Sequence, residues 1–480
     1  MGGMLKLLTE EEVLEIHLAT LDVLENVGVA FKFGGALKIL DEAGASIDQE
    51  RQVAKIPEYL VQEALKRVPS RFVFLARNPK HSLRIGGRRT YFTNGFGATY
   101  VFEPKTGRRR TATLKDLENF TRIADYLEHV HYPITHCVPQ DVPKEVVGQY
   151  MALTMIKNTS KHYYCPTLSL EGAKDIIEMA SALLGGEEEL RKRPTIINST
   201  VCPTSPLQYS ADAAARTIEF SRYRIPFGIW PAPLAGATGP VTLAGTLVVQ
   251  NAEVLAGVVL SQLVGPGTPV LYGTGSSVMD MTYGTTAYAA PELSLFNIAT
   301  AQLAQSYGLP TYGTGGIIDS KLPDEQAAYE SMMSNLLAAL AGINIVHDGV
   351  YGILESGMTA CYEQIIMCHE MVGMVMRVLK GMRVTDEDLA LNVIEAVGHG
   401  GTFLSQKHTL QHFRSEHWIP QITDRSPRRE WERAGSKDIV QRAGEKIEEI
   451  LKSHEPEPLD RGVEAALEEI VRTREKSLAG

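Results

Sequence analysis

From residue 133 onward the chain repeats one pattern: a short apolar run ending in polar residues, a Gly or Pro turn, then a stretch with apolar residues at helical spacing. The apolar runs predict strands at 133–138, 162–168, 195–201, 226–230, 269–272, 310–312 and 343–347. Strand and helix in alternation build a parallel sheet. Seven successive units predict an α/β fold of the TIM (β/α)8 barrel class, because closing eight parallel strands removes both sheet edges. Two segments compete for the eighth strand: 402–404, after the helical run 387–397, or a strand before residue 133 that joins late.

Ahead of these units, 9–27 and 57–67 carry apolar residues at helical spacing, the second after a Pro start. Between 71 and 103 the pattern changes to short alternating runs punctuated by Gly86, Gly87 and Gly95, which predicts a small antiparallel segment. An amphipathic helix is expected over 113–128. Beyond about residue 427 a charged helical tail places Ile439, Ala443, Ile447 and Leu451 on one face, with a break at Pro456 and Pro458. That tail is expected to wrap the barrel or a partner subunit. The resulting organisation is an N-terminal helical and β-hairpin extension (1–130), a barrel domain (131–425) and a helical tail (426–480).

Composition narrows the function. The 480 residues are 44% hydrophobic and 22% charged, enough for a large core, and the formal net charge is −10. Lys and Arg are scattered except for Arg108-Arg109-Arg110, which argues against a nucleic-acid partner. That triplet follows Lys105-Thr106-Gly107 and reads as a solvated turn, with a docking patch for an acidic partner as the alternative. Five cysteines without close pairs give no disulfide framework and suit a reducing compartment. Residues 1–12 hold no apolar signal core, and the apolar run 252–263 is interrupted by Glu, Ser and Gln. A cytoplasmic protein with no membrane partner is expected.

In a parallel barrel the chemistry sits at the carboxyl ends of the strands. There this sequence offers Asn198, Trp230, Tyr272 with Thr274, Tyr312 with Thr314, and His347 with Asp348; the earlier Gly-rich loop adds Asn94 and Phe96. Tyr272-Gly-Thr-Gly and Tyr312-Gly-Thr-Gly-Gly are near copies whose glycines would let backbone approach a bound group. Neither continues as a phosphate-binding or dinucleotide motif. The aromatics either fill the barrel top or together cage a cation, since a quaternary ammonium is recognised through aromatic faces. His347 is a structural residue or an anion contact. Asp324 and Glu325 fit a helix start, near Asp319, Lys321 and Glu330. Cys137, Cys165 and Cys202 lie near three strand ends without paired ligand spacing, so small core residues are expected, as for Cys361 and Cys368 beside His369.

Four segments carry a family resemblance: Tyr312-Gly-Thr-Gly-Gly-Ile-Ile-Asp-Ser-Lys321, Ile345-Val-His-Asp-Gly349, Leu354-Glu-Ser-Gly-Met-Thr359 and Gly401-Thr-Phe-Leu-Ser-Gln-Lys-His-Thr-Leu-Gln-His-Phe-Arg414. They resemble the trimethylamine methyltransferase (MttB) superfamily, from the N-terminal helices to about residue 425. The resemblance implies a barrel enzyme that delivers a methyl group to the reduced cobalt of a cognate corrinoid protein docked over the mouth. Cobalamin would then belong to the partner, this chain binding no cofactor and no metal, and the Asp-x-His-x-x-Gly corrinoid signature is absent here. The founding members contain pyrrolysine, whereas every position here is standard, which implies the branch acting on small quaternary amines.

Such a substrate already carries its charge and leaves as a neutral amine. Glycine betaine, giving dimethylglycine, is the first expectation, with carnitine and proline betaine as alternatives. In that reading Phe96, Trp230 and Tyr312 surround the trimethylammonium, His347 and Asn198 hold the carboxylate, Asn94 and Thr314 shape the mouth, and Tyr272 completes the substrate-binding set. A homo-oligomer is also implied. Two other classes stay open: a zinc-dependent barrel methyltransferase with Cys137, Cys165, Cys202 and His136 as ligands, and a non-catalytic betaine-binding protein.

Overall fold

The computed structural model describes residues 5–479 apart from 166 and 168. Its centre is a parallel sheet of seven strands: β1 (Tyr91–Asn94), β2 (Tyr163–Tyr164), β3 (Ile197–Val201), β4 (Phe227–Ile229), β5 (Val270–Gly273), β6 (Thr311–Thr314) and β7 (Ile345–Val350). They lie in the order β1-β7-β6-β5-β4-β3-β2. Six therefore stand in chain order, and β1 adds beside the last of them. The segment 132–138 runs along the other side of β1 through single parallel bridges, Thr93 to Tyr132 and Ala98 to Cys137. Asn94 fixes that seam, accepting from the Ile134 amide at 2.7 Å and donating to its carbonyl at 2.9 Å. The sheet is curled, since side chains from β6 and β7 meet those from 132–134 and β2 in one interior cluster.

Each expected strand position from 195 to 347 carries a strand of this sheet. The expected strand 162–168 is observed as β2; residues 166 and 168 lie outside the described ones. The antiparallel reading of 71–103 holds for the hairpin Phe72–Phe74 with Leu83–Ile85, but β1 pairs parallel to β7 instead. Alternation reports that a strand has two faces and is silent on its direction. Residues 402–404 form no strand: Leu404 is 88% exposed in a turn. The late-joining strand is thus the one before residue 133.

Helices cover the outside of the sheet: α1 (Leu114–Tyr126), α2 (Val147–Asn158), α3 (Leu170–Leu184), α4 (Ala211–Tyr223), α5 (Leu243–Val264), α6 (Pro291–Ser306), α7 (Glu325–Ala341) and α8 (Tyr362–Lys380). Their ends are written locally. Ser169, Ser210 and Asp324 accept hydrogen bonds from the first-turn amides of α3, α4 and α7. Gly185 and Gly342 close α3 and α7 in the left-handed region, at φ 89° and 91°. Helix α5 is long and apolar enough to cross a membrane, yet it is largely buried inside the protein. The N-terminal helices Glu10–Asp22, Gly34–Glu42 and Glu58–Arg67 pack on it, which explains why it is apolar all round.

The basic triplet is a strand, not a turn. Arg108–Thr111 pairs antiparallel with Tyr100–Glu103, and residues 104–107 make the turn. Arg110 binds Glu103 at 2.9 Å and Asp116 at 2.6 Å, while Arg109 lies over the Tyr100 ring and reaches Glu355 at 3.2 Å. Against the upward push of burial, hydrogen bonds from Arg110, Thr113 and Tyr362 hold Asp116 below the usual carboxylate range.

The tail returns to the body. Helix α9 (Ile439–Ser453) buries Ala443, Ile447 and Ile450 against α8 and α1, and α10 (Arg461–Ala479) buries Leu467 and Val471 against α3 and α2. Between α8 and the tail the pattern is different: from Lys380 to Gln421 no side chain is buried.

Candidate functional site

Tyr312 and Thr314 share the inner face of β6 by strand alternation, with Gly313 turned to α6. A Cβ at Gly313 would sit 2.7 Å from the Asn297 amide oxygen. The Tyr312 ring is buried over Gly228 of β4, where a Cβ would approach it to 3.3 Å. On β7, Ile345 and His347 face inward, and the strand is distorted at Asp348, whose φ of 67° is left-handed for a non-glycine residue. Such strain persists only where its surroundings hold it. Here the Asp348 amide donates to Thr93 Oγ1 at 3.1 Å, and its carboxylate returns to His347 Nδ1 at 2.6 Å.

Three rings border the His347 imidazole: Tyr312 at 5.1 Å between centroids, Trp230 at 5.7 Å and Phe96 at 6.1 Å. Phe96 also meets Tyr164 of β2 edge-on at 5.8 Å. Tyr312 is fully buried, whereas Phe96 and Trp230 are half-buried, so the group grades from interior to surface. Trp230 owes its seat to Gly275, because a Cβ there would lie 2.5 Å from the indole Cζ2.

Deeper in, polar atoms lack partners. The hydroxyls of Tyr132 and Tyr312, the Asn198 Nδ2, the Trp230 Nε1 and the Asp348 Oδ1 are all buried without a well-formed hydrogen bond. An unmade bond at a buried polar atom costs about 1–3 kcal/mol. The Tyr132 hydroxyl lies near both the Asn198 and the Tyr312 side chains, which act on its ionisation. Their convergence marks a place where a polar ligand group would be satisfied.

Burial sets the charges. It pushes the Tyr132, Tyr164 and Tyr312 hydroxyls upward, so all three remain neutral donors. His162, which meets the Asn198 Oδ1 at 3.1 Å and stacks on Phe74, is pushed down to about 4 by desolvation. The Asp348 carboxyl is raised by burial, against the opposing pull of His347.

The expected residues divide. Phe96, Trp230, Tyr312 and His347 come together, and Asn198 lies beneath them. Tyr272 does not join: its hydroxyl donates to Asn251 of α5 at 2.8 Å, on the helix side of the sheet, while its neighbour Leu271 faces inward. Position at a strand end does not say which face a side chain takes. Asn94 spends its amide on the seam with 132–138, and Thr314 Oγ1 donates to the Thr274 carbonyl at 2.8 Å, so both are structural. The paired glycine segments also serve packing: a Cβ at Gly273 would meet the Ile229 carbonyl at 2.3 Å.

Sequence reading missed Tyr132 and Tyr164. Tyr132 directly precedes Pro133, the expected strand start, and only the curvature of the sheet brings it to Asn198. The cysteine set Cys137, Cys165, Cys202 and His136 does not assemble; among the described residues the one trio of ligand atoms within mutual reach is Glu128, His129 and His369. That trio lies before segment 132–138 and on α8, away from the aromatic group.

Fold and site together define an α/β protein with a parallel sheet and an aromatic cluster around His347 at its carboxyl end. The sequence pattern of the family described as trimethylamine methyltransferase (MTTB) matches residues 2–479, and the chain belongs to that family and is a methyltransferase. It is 40% identical to a trimethylamine methyltransferase MttB of Desulfitobacterium hafniense (strain DSM 10664 / DCB-2), covering 97% of this chain and 93% of that one. It is 37% identical to a glycine betaine methyltransferase of D. hafniense (strain Y51), covering 98% of each. The solved hydroxylamine complex of MtmB shares the fold at a TM-score of 0.51 and 13% identity, over 92% of both chains.

Proposed function

We propose that this chain takes a methyl group from a small quaternary amine carrying a carboxylate, glycine betaine first, and passes it to the cobalt of a separate corrinoid protein in the cytoplasm. In this reading the curled sheet and segment 132–138 act as an eight-stranded barrel whose mouth receives that partner. The observation that carries the reading is the stacking of two environments. Three aromatic rings surround His347 near the surface, and unpartnered donors from Tyr132, Tyr312 and Asn198 lie below.

A betaine has the matching polarity. Its trimethylammonium suits the faces of Phe96, Trp230 and Tyr312, each aromatic contact contributing about 0.5–2 kcal/mol. The His347–Asp348 pair supplies a negative pole beside it. Its carboxylate suits the neutral donors beneath, where charge-assisted hydrogen bonds relieve the unpaired atoms. In this proposal Tyr132 joins Asn198 at the carboxylate and His347 sides with the cation, whereas the sequence-based expectation put His347 at the carboxylate.

The corrinoid, when docked, supplies the nucleophile. The work left to this chain is to hold the donor methyl at the mouth, orient it and exclude water. No general acid is needed, because the leaving amine departs neutral.

Calorimetric titration of the isolated chain tests the binding half. Glycine betaine should bind at least tenfold more tightly than tetramethylammonium, which lacks the carboxylate, and than dimethylglycine, which lacks the fixed charge. Equal affinity for all three would remove the assignment of both environments.

A further inference from the structure

Away from the aromatic cluster, one group of side chains has the composition of a metal site. The turn that follows α1 presents Glu128 and His129, and the buried His369 faces them from α8. Their ligand atoms all lie within 4.8 Å of one another. The Glu128 Oε1 is 3.6 Å from the His129 Nε2, and the two imidazoles stack at 4.8 Å between centroids. Tetrahedral zinc holds nitrogen and oxygen ligands about 2.0–2.2 Å away, hence about 3.4 Å from each other. The set therefore closes by a short movement, most of it available in the exposed Glu128 side chain.

These groups are not committed elsewhere. Among the described residues the His129 ring makes no hydrogen bond, and the one partner of the His369 ring is the His129 amide, at a long 3.4 Å. The turn itself is held: the buried Lys161 ammonium donates to the carbonyls of Ala124, Leu127 and Val130 at 2.5–2.8 Å. Gly373, one turn along α8 from His369, leaves space beside His129, since a Cβ there would stand 3.2 Å from its Nε2. The trio lines a cavity of about 350 Å³ with Trp418 and His417, which leaves a fourth position for water or for His417.

Charge and ligand type decide the occupant. Glu128 and Glu370 favour positive charge at His129, and Lys161 opposes it. The other basic groups around the cavity are turned to partners: Arg377 to Glu416, Lys380 to the Ser415 carbonyl and Arg414 to the Phe413 ring. Two imidazoles and one carboxylate select a first-row transition-metal ion over magnesium or calcium, which take oxygen ligands.

We propose that Glu128, His129 and His369 bind one divalent transition-metal ion of the zinc class, which clasps the turn after α1 to α8. The clasp stands at the root of the segment from Lys380 to Gln421, an arm that buries no side chain. There Glu370, next to His369, accepts the amides of Gln421, Ile422 and Thr423. The ion is structural: His131, two residues on from His129, bonds to Phe92 in β1, whereas Phe96 of the aromatic cluster lies beyond the end of that strand.

Equilibrium dialysis of the full chain against zinc, after a chelator has stripped it, tests this without any methyl transfer. The parent should bind one zinc and gain melting temperature from it, and cobalt(II) ions in place of zinc should show the intense visible absorption of tetrahedral coordination. Glu128→Gln and His129→Gln should each keep the parent's far-ultraviolet spectrum and weaken zinc binding at least about tenfold, the loss expected even for groups that only support a metal ligand. His412→Ala breaks up the arm's own histidine pair, His408 and His412 at 4.4 Å between ring centroids, and should bind zinc as the parent does. A parent that binds no zinc, or binds it without a gain in melting temperature, would overturn the proposal. So would binding that survives both substitutions at Glu128 and His129, or that is lost with His412.

Discussion

The Trp230 indole occupies the space that a side chain at Gly275 would take, its Cζ2 only 2.5 Å from the ideal Cβ position. The glycine after Thr274 thus lets the indole sit beside His347 by carrying no side chain. Gly275→Ala should push the indole out of line with His347 and raise the Kd for glycine betaine about two- to thirtyfold, the value of one aromatic face on a cation. Calorimetry measures it, and an unchanged Kd would show that Trp230 is not a wall of the cation site.

Tyr132→Phe removes one buried donor and little else, since the Tyr132 hydroxyl has no well-formed partner. A hydrogen bond to a charged group is worth roughly 1.5–3 kcal/mol, so the Kd for glycine betaine should rise at least tenfold. Tetramethylammonium should bind the variant as it binds the parent. A parallel loss for both ligands would place the effect in the fold instead.

His347→Ala deletes the ring that three aromatics border and frees the Asp348 carboxyl from its 2.6 Å partner. Because Asp348 is buried and already raised, it should become neutral and surrender the negative pole. In single-turnover assays, Kd should rise about tenfold or more while the transfer rate from the bound state changes less. The reverse order would make His347 part of the transfer step.

The pH dependence of stability follows from four histidines, His136, His162 and His369 buried and His131 half-buried. Desolvation lowers His131, His136 and His369 to about 3 and His162 to about 4. A depressed folded pKa means that the unfolded chain binds the extra proton. Their contribution is therefore complete above about pH 6.5 and is lost as pH falls toward 4, at up to about 1.4 kcal/mol per pH unit for each. Glu253, raised to about 7 by burial, works oppositely, gaining stability as pH falls from 7 toward 4.5. Four groups outweigh one, so the melting temperature should drop steeply between pH 6 and 4. A flat profile through that window would contradict the burial of these rings.

Much of this architecture was legible because its signals are local. Asp324 announces a helix start, and short apolar runs ending in polar residues before a Gly or Pro turn mark the strands of a covered sheet. What escaped was set by long-range geometry. The run Tyr91–Asn94 alternates as an edge hairpin would, and only its pairing with β7 reveals a parallel strand. Leu271 and Tyr272 are equally plausible inward residues until the register with β4 and β6 is known. Tyr132 reaches Asn198 through sheet curvature, which no spacing encodes. The apolar residues of the arm have helical spacing like any core helix, so their exposure could not be read from pattern.

The most direct test of the central claim mixes the purified chain with a reduced corrinoid protein and glycine betaine, following the cobalt(I) absorbance and dimethylglycine together. The account predicts loss of the cobalt(I) signal with one dimethylglycine formed per cobalt methylated, and no such change when the chain is omitted. A chain that binds glycine betaine but leaves both it and the cobalt unchanged, with carnitine and proline betaine equally inert, would contradict it.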